Sequence, residues 1–117
     1  MDRLLTRYCN LVNIKIDDMK GKSHANGLPT YRHIFYYCVK TRFSNVKLRH
    51  IAATTEKKTS GVGYGIKIIA NQITPITKAG TSKNVLTSEM QIIKSFVVAF
   101  LKICQEYKES ELELPKK

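Results

Sequence analysis

Tryptophan is absent from these 117 residues, and acidic side chains are scarce, with nine Asp and Glu set against 20 Lys and Arg. No apolar run approaches the roughly 18 residues that a membrane-spanning helix needs. The opening segment MDRLLTRYCNLV lacks the long apolar stretch of a secretory signal, so a cytoplasmic, nucleoid-associated protein is expected. The three cysteines, Cys9, Cys38 and Cys104, are odd in number, far apart and form no CxxC pair. Buried or free thiols in a reducing compartment are expected, not disulfides or zinc. Signatures of catalysis are missing too. There is no phosphate loop ending in GK[ST], no nucleophile elbow, and no paired carboxylates except Asp17-Asp18, which read as a helix start. His33 and His50 have no partner at metal-ligand spacing and read as surface or packed histidines. No enzyme, cofactor, metal or small-molecule substrate is expected, and no internal repeat is visible.

What is present is charge. The net charge is +11, and residues 1–83 carry all of it, with 15 Lys and Arg against 4 Asp and Glu. Residues 84–117 carry five of each sign. A localised basic excess is the footprint of a polyanion partner, and nucleic acid is the reading it favours. A merely solvated cationic surface, a membrane-surface binder or an RNA binder are the alternatives. Length fits one domain with a single small core, and 43% hydrophobic with 25% charged residues is ordinary for a globular chain.

The basic part centres on SNVKLRHIAATTEKKTSGVGYGIKIIAN, residues 44–71. Ser44 or Asn45 is expected to cap a first helix whose apolar stripe is Leu48, Ile51 and Ala52. Thr54 to Lys58 form a polar turn, and Thr59 or Ser60 is expected to cap a second helix. On that helix Val62, Ile66 and Ile69 share one face, while Ser60, Gly63, Tyr64 and Lys67 fall on or near the other. Gly61, Gly63 and Gly65 each cost a helix about 1 kcal/mol relative to Ala, which leaves a strand as the rival reading. Helix is preferred, because a DNA-binding helix-turn-helix has this layout: its second helix packs on the first and still offers short side chains to base edges.

Around this unit, residues 2–13 read as a short amphipathic helix with Leu4, Leu5, Tyr8, Leu11 and Val12. An aspartate of Asp17-Asp18-Met19 is expected to cap a brief helical turn. KGKSHANGLP follows as a loop bearing Lys20, Lys22 and His24, and Pro29 suits a helix's first turn. The clearest helix spans LPTYRHIFYYCVKTRF, with Leu28, Tyr31, Ile34, Phe35, Cys38, Val39 and Phe43 on one apolar face and Arg32, His33, Tyr36 and Lys40 mostly elsewhere. Residues 72–87 read as a connector containing Pro75 and Gly80. Thr87 or Ser88, with Gln91, suggests a capping box for a last helix over 88–108. Its broad stripe (Met90, Ile93, Phe96, Val97, Phe100, Leu101, Cys104) packs on the core or joins two copies in a homodimer. Residues 109–117 read as a polar tail that frays.

Several words in residues 1–71 are family-like. Gly21-Lys22-Ser23-His24 is followed at an interval by Arg32-His33-Ile34, then Leu48 and Ile51, then Lys57-Lys58-Thr59-Ser60-Gly61-Val62 and Tyr64. Together they resemble the C-terminal DNA-binding domain of the bacterial replication initiator DnaA, one of the Trp-repressor-like helical folds. In that family a GKSR-type loop precedes a long helix with an Arg, and a helix-turn-helix opens its second helix on [KR]DH[ST][ST]V. Ser60 and Val62 keep the family's types and Lys57 its charge. Lys58 and Thr59 stand for the Asp-His pair, and His24 stands for an Arg that enters the minor groove. No ATPase module accompanies these residues. The resemblance implies an all-α fold, a helix-turn-helix domain with an additional C-terminal helix, acting on double-stranded DNA in replication or transcription control. The expected nucleic-acid contacts are Lys20, Lys22, His24, Arg32, Lys57, Lys58, Thr59, Ser60, Gly61, Tyr64 and Lys67. An RNA-binding or ribosome-associated role, with Tyr36, Tyr37 and Tyr64 as stacking platforms, is the first alternative. A protein–protein adaptor is the second.

Overall fold

A computed structural model of the chain describes residues 1–21, 27–73 and 88–112. Six α-helices account for most of them: α1 (Asp2–Val12), α2 (Ile16–Lys20), α3 (Leu28–Arg42), α4 (Leu48–Thr55), α5 (Thr59–Ile73) and α6 (Ser88–Cys104). A short 3₁₀ turn, Glu109–Glu111, follows. No strand occurs among the described residues. The fold is all-α, and 59–71 is helical despite its three glycines.

The long helix α3 is the centre. Leu28, Ile34, Phe35, Cys38 and Val39 are buried on one side, and Tyr36 is buried on another. It therefore contacts α5, α6, α1, α2 and α4. Tyr8 of α1, Phe35 of α3 and Phe100 of α6 form an aromatic cluster with centroids 4.6–5.6 Å apart. The Tyr8 hydroxyl donates to the Tyr31 carbonyl at 2.6 Å, which satisfies the one polar atom in that cluster. Burial holds the Tyr8 phenol well above its ordinary pKa. The thiols of Cys9, Cys38 and Cys104 are free and buried, and burial pushes Cys104 up to about 12.

The last helix turns its stripe into this core, with Ile93, Val97, Phe100 and Cys104 buried against α3 and α1. It ends at Cys104, four residues before the expected limit at 108. Ahead of residue 109, Arg7 and Glu106 pair at 2.6 Å and Arg42 Nη2 donates to the Tyr107 carbonyl at 2.9 Å, and further on Leu112 is buried. The Arg7 guanidinium holds the Glu106 carboxyl below its usual range.

Three expected caps are displaced. Helix α4 starts at Leu48 with Lys47 at its N-cap, not Ser44 or Asn45. Val46 is fully buried and Lys47 is extended, so the helix cannot begin earlier. Lys40 Nζ closes the preceding turn onto the carbonyls of Ser44 (2.7 Å) and Val46 (2.8 Å). Helix α5 opens one residue ahead of its expected cap, since Gly61 and Val62 N–H both donate to the Lys58 carbonyl at 3.1 and 3.3 Å. In α2, Asp17 and Asp18 lie inside the first turn, behind an N-cap at Lys15. There they favour the positive end of the helix dipole. Residues 74–87 of the connector, 113–117 of the tail, and the side chains expected to cap α6 at Thr87 or Ser88 lie outside those described.

Candidate nucleic-acid interface

Helices α4 and α5 are joined by three residues, Glu56 to Lys58. Glu56 adopts the left-handed conformation (φ 56, ψ 42). Its N–H donates to Ala53, and that of Lys57 to the Ala52 carbonyl at 2.8 Å. This is a Schellman termination with Glu where Gly is usual, and it reverses the chain tightly enough for α5 to pack on α4.

Helix α5 then divides cleanly. Val62, Gly65 and Ile69 are buried against α3 and α4. Thr59, Ser60, Gly61, Tyr64, Lys67 and Asn71 are exposed. Ser60, Tyr64, Lys67 and Asn71 follow one another at steps of four, three and four, which makes a single outward row along the helix. Gly61 has open space where a Cβ would stand, so the backbone itself is accessible there. Gly65 is the opposite case. A Cβ on it would come within 2.8 Å of His33 Cγ and 3.0 Å of Tyr36 Cδ2. Only glycine lets α5 lie this close to α3. Gly63 faces Leu48 of α4, whose Cδ1 would be 3.6 Å from an added Cβ. Its role is helix–helix contact, not the outward approach expected of it.

Of the eleven expected contact residues, the exposed surface holds Lys58, Thr59, Ser60, Gly61, Tyr64 and Lys67. Lys22 and His24 lie outside the described residues. Lys20 is half-buried and sits 3.6 Å from the Glu56 carboxylate. Lys57 is half-buried, and its ammonium donates to the Gly21 carbonyl.

Arg32 overturns its expectation. It is only 4% exposed and caps the C-terminal end of α2. Its Nε donates to Met19 O at 2.8 Å, and Nη2 to Asp18 O at 2.8 Å and Gly21 O at 2.9 Å. A helix end leaves carbonyls without partners, and the guanidinium fork supplies donors to three of them at once. Arg32 and Lys57 thus meet on the same Gly21 carbonyl, which ties the end of α2 to the α4–α5 turn. Both work from below the surface.

His33 stands between α3 and the outward row. Its ring lies edge-on to Tyr64 (centroids 6.2 Å apart, planes at 87°) and tilted to Tyr36 at 6.0 Å. Burial, and then the neighbouring Arg32 charge, hold its pKa below the ordinary value. A depression of about 220 Å³ opens beside it, lined by Arg32, His33, Tyr36, Lys57, Lys58 and Gly61. Tyr36 is itself buried and offers no stacking platform.

Two exposed cations were missed by sequence reasoning. Lys47 and Arg49 flank Leu48 at the start of α4 and are both exposed. Between them, Leu48 packs over Gly63 of α5. The helical register of Asn71 with Ser60, Tyr64 and Lys67 was visible in the sequence; the displaced start of α4 was not. Glu56 is the one acid in the α4–α5 turn. Among the described residues no group of three or more His, Cys, Asp or Glu is placed to hold a metal ion. No described helix is long and apolar enough to cross a membrane.

No protein-family model, curated protein or solved structure matches this chain.

Proposed function

We propose that the chain is a double-stranded DNA-binding protein that uses α4 and α5 as a helix-turn-helix, with α5 in the major groove. The observation that carries this reading is the outward row of α5: small, polar and cationic side chains on a helix whose other face is buried. That division is what a groove-reading helix requires. The row also lies in the part of the chain that holds the whole +11 charge.

In this reading Lys58 and Lys67, with Lys47 and Arg49 of α4, neutralise phosphates and supply most of the affinity. Ser60 and Gly61 allow the helix backbone to approach base edges. The N–H groups that open α5 face a phosphate, an arrangement the helix dipole favours. Arg32 and Lys57 act indirectly by fixing the turn from which α5 departs. Residues Lys20 and Glu56 compensate one another beside it.

Competition among duplex DNA, duplex RNA and single strands of one sequence tests the proposal. Duplex DNA should displace the others, and replacing Lys58 and Lys67 by Ala should weaken its binding without altering the fold. Preference for duplex RNA or single strands overturns the reading in favour of RNA. Absence of binding to any of them favours an adaptor role.

A further inference from the structure

Along the outward row of α5 the side chains are unequal in a way that points to what is read. Thr59, Ser60 and Gly61 are small, and Lys67 is long and flexible. Tyr64 is the single bulky group among them, and it is 63% exposed. It is also the most exposed large hydrophobic residue among those described, ahead of Ile92 and Val98 on α6. Leaving a ring in water forgoes the stabilisation its burial would bring. The residues one turn before it on its own helix, Ser60 and Gly61, are too small to cover it.

The ring is nonetheless oriented. His33 meets it at 87° from the α3 side, and His33 is itself confined by Tyr36 and by the close approach of the α5 backbone at Gly65. Burial lowers the pKa of this half-buried imidazole, which favours its neutral form. Tyr64 is therefore a pre-positioned aromatic knob on a face of small residues. When such a face is pressed into a major groove, the knob reaches the groove floor before its neighbours do. The only methyl group on a base edge there is the C5-methyl of thymine, set among hydrogen-bond donors and acceptors.

Building on the duplex-DNA reading, we infer that Tyr64 is a specificity-determining residue that recognises a 5-methylpyrimidine, packing its ring on a thymine methyl. The hydroxyl is dispensable to this contact and the ring is not. Ser60 and Lys67 flank it with hydrogen-bonding groups for the adjacent bases.

The test uses the full chain and duplexes selected by it from a random pool. Each thymine of the selected sequence is replaced in turn by deoxyuridine, which removes the methyl and keeps the base pair. At one position this should weaken binding about three- to tenfold, the order expected for one buried methyl group. Tyr64→Phe should retain that sensitivity. Tyr64→Ala should bind the thymine duplex more weakly by a similar factor and be indifferent to uracil. Circular dichroism and thermal melting of both variants should match the wild type, since the ring is exposed. A selected sequence without thymine, indifference to uracil at every position, or undiminished sensitivity in Tyr64→Ala overturns the inference while leaving DNA binding intact. Failure to select any duplex overturns the DNA-binding reading itself, and the recognition of thymine with it.

Discussion

Gly65 and His33 are in direct opposition across the α5–α3 interface, and a methyl group at residue 65 would come within 2.8 Å of the imidazole Cγ. This contact sets how deeply α5 is seated and, through His33, where Tyr64 points. Gly65→Ala should therefore destabilise the fold by about 1–3 kcal/mol, the usual cost of overpacking. Gly61→Ala should act oppositely. Nothing lies within 4 Å of its added methyl, so the helix gains up to about 1 kcal/mol of propensity. Chemical denaturation of the two variants beside the wild type checks both signs. On duplex DNA, Gly61→Ala should bind more weakly despite its greater stability.

Arg32 and Lys67 should separate structure from binding. Arg32→Ala leaves the carbonyls of Asp18 and Met19 without the guanidinium's donors and Gly21 with that of Lys57 alone, at a cost on the order of 3 kcal/mol. Arg32→Lys should recover little, because a single ammonium cannot reproduce the planar fork. Lys67→Ala should leave the melting temperature unchanged and lower DNA affinity. Loss of affinity in Arg32→Lys with full stability would contradict the buried structural role assigned to this arginine.

Glu56 occupies a left-handed position that glycine fills without strain. Glu56→Gly should raise stability by about 1 kcal/mol, less the small contribution of the exposed pair with Lys20. Glu56→Gln keeps the backbone strain and removes only the charge. It should strengthen DNA binding at low salt, and the gain should vanish as salt is raised. Equal affinities for Glu56→Gln and the wild type at low salt would place the turn away from the phosphates.

His33 links stability to pH. Its folded pKa lies below the ordinary 6.5, so below that pH the unfolded chain takes up a proton more readily than the folded one. Stability should fall as pH drops from 6.5 towards the folded value, and this component should level off beneath it. Denaturant midpoints across that range should fall less steeply in His33→Gln. Identical slopes in the two proteins would show that the imidazole is not desolvated as described. Beside burial, the neighbouring Arg32 charge disfavours protonation of the imidazole further.

Much of this architecture was legible in the sequence because it rests on periodicity. The apolar faces of α3 and α6, the helix at 59–71 and the exposure of Ser60, Tyr64 and Lys67 follow from spacing alone. What was hidden depends on contacts between segments distant in the chain. An arginine amid aromatic and apolar residues reads as a surface cation until the α2 carbonyls arrive to bury it. Lys57 is likewise drawn inward by Gly21. The caps shifted to Lys47 and Lys58 because burial of Val46 and the Schellman turn at Glu56 fixed the backbone before side-chain preference could. Leu112, in a stretch that reads as polar, is buried beside the N-terminus, where it lines a cavity with Met1 and Leu4.

The salt dependence of duplex DNA binding tests the central proposal most directly. With the four phosphates assigned to Lys47, Arg49, Lys58 and Lys67 neutralised, the logarithm of the binding constant should fall with the logarithm of salt at a slope of about −4, and replacing Lys58 and Lys67 by Ala should make it shallower by about 2. A slope that the double substitution leaves unchanged, or no duplex binding even at low salt, would contradict a groove-bound α5.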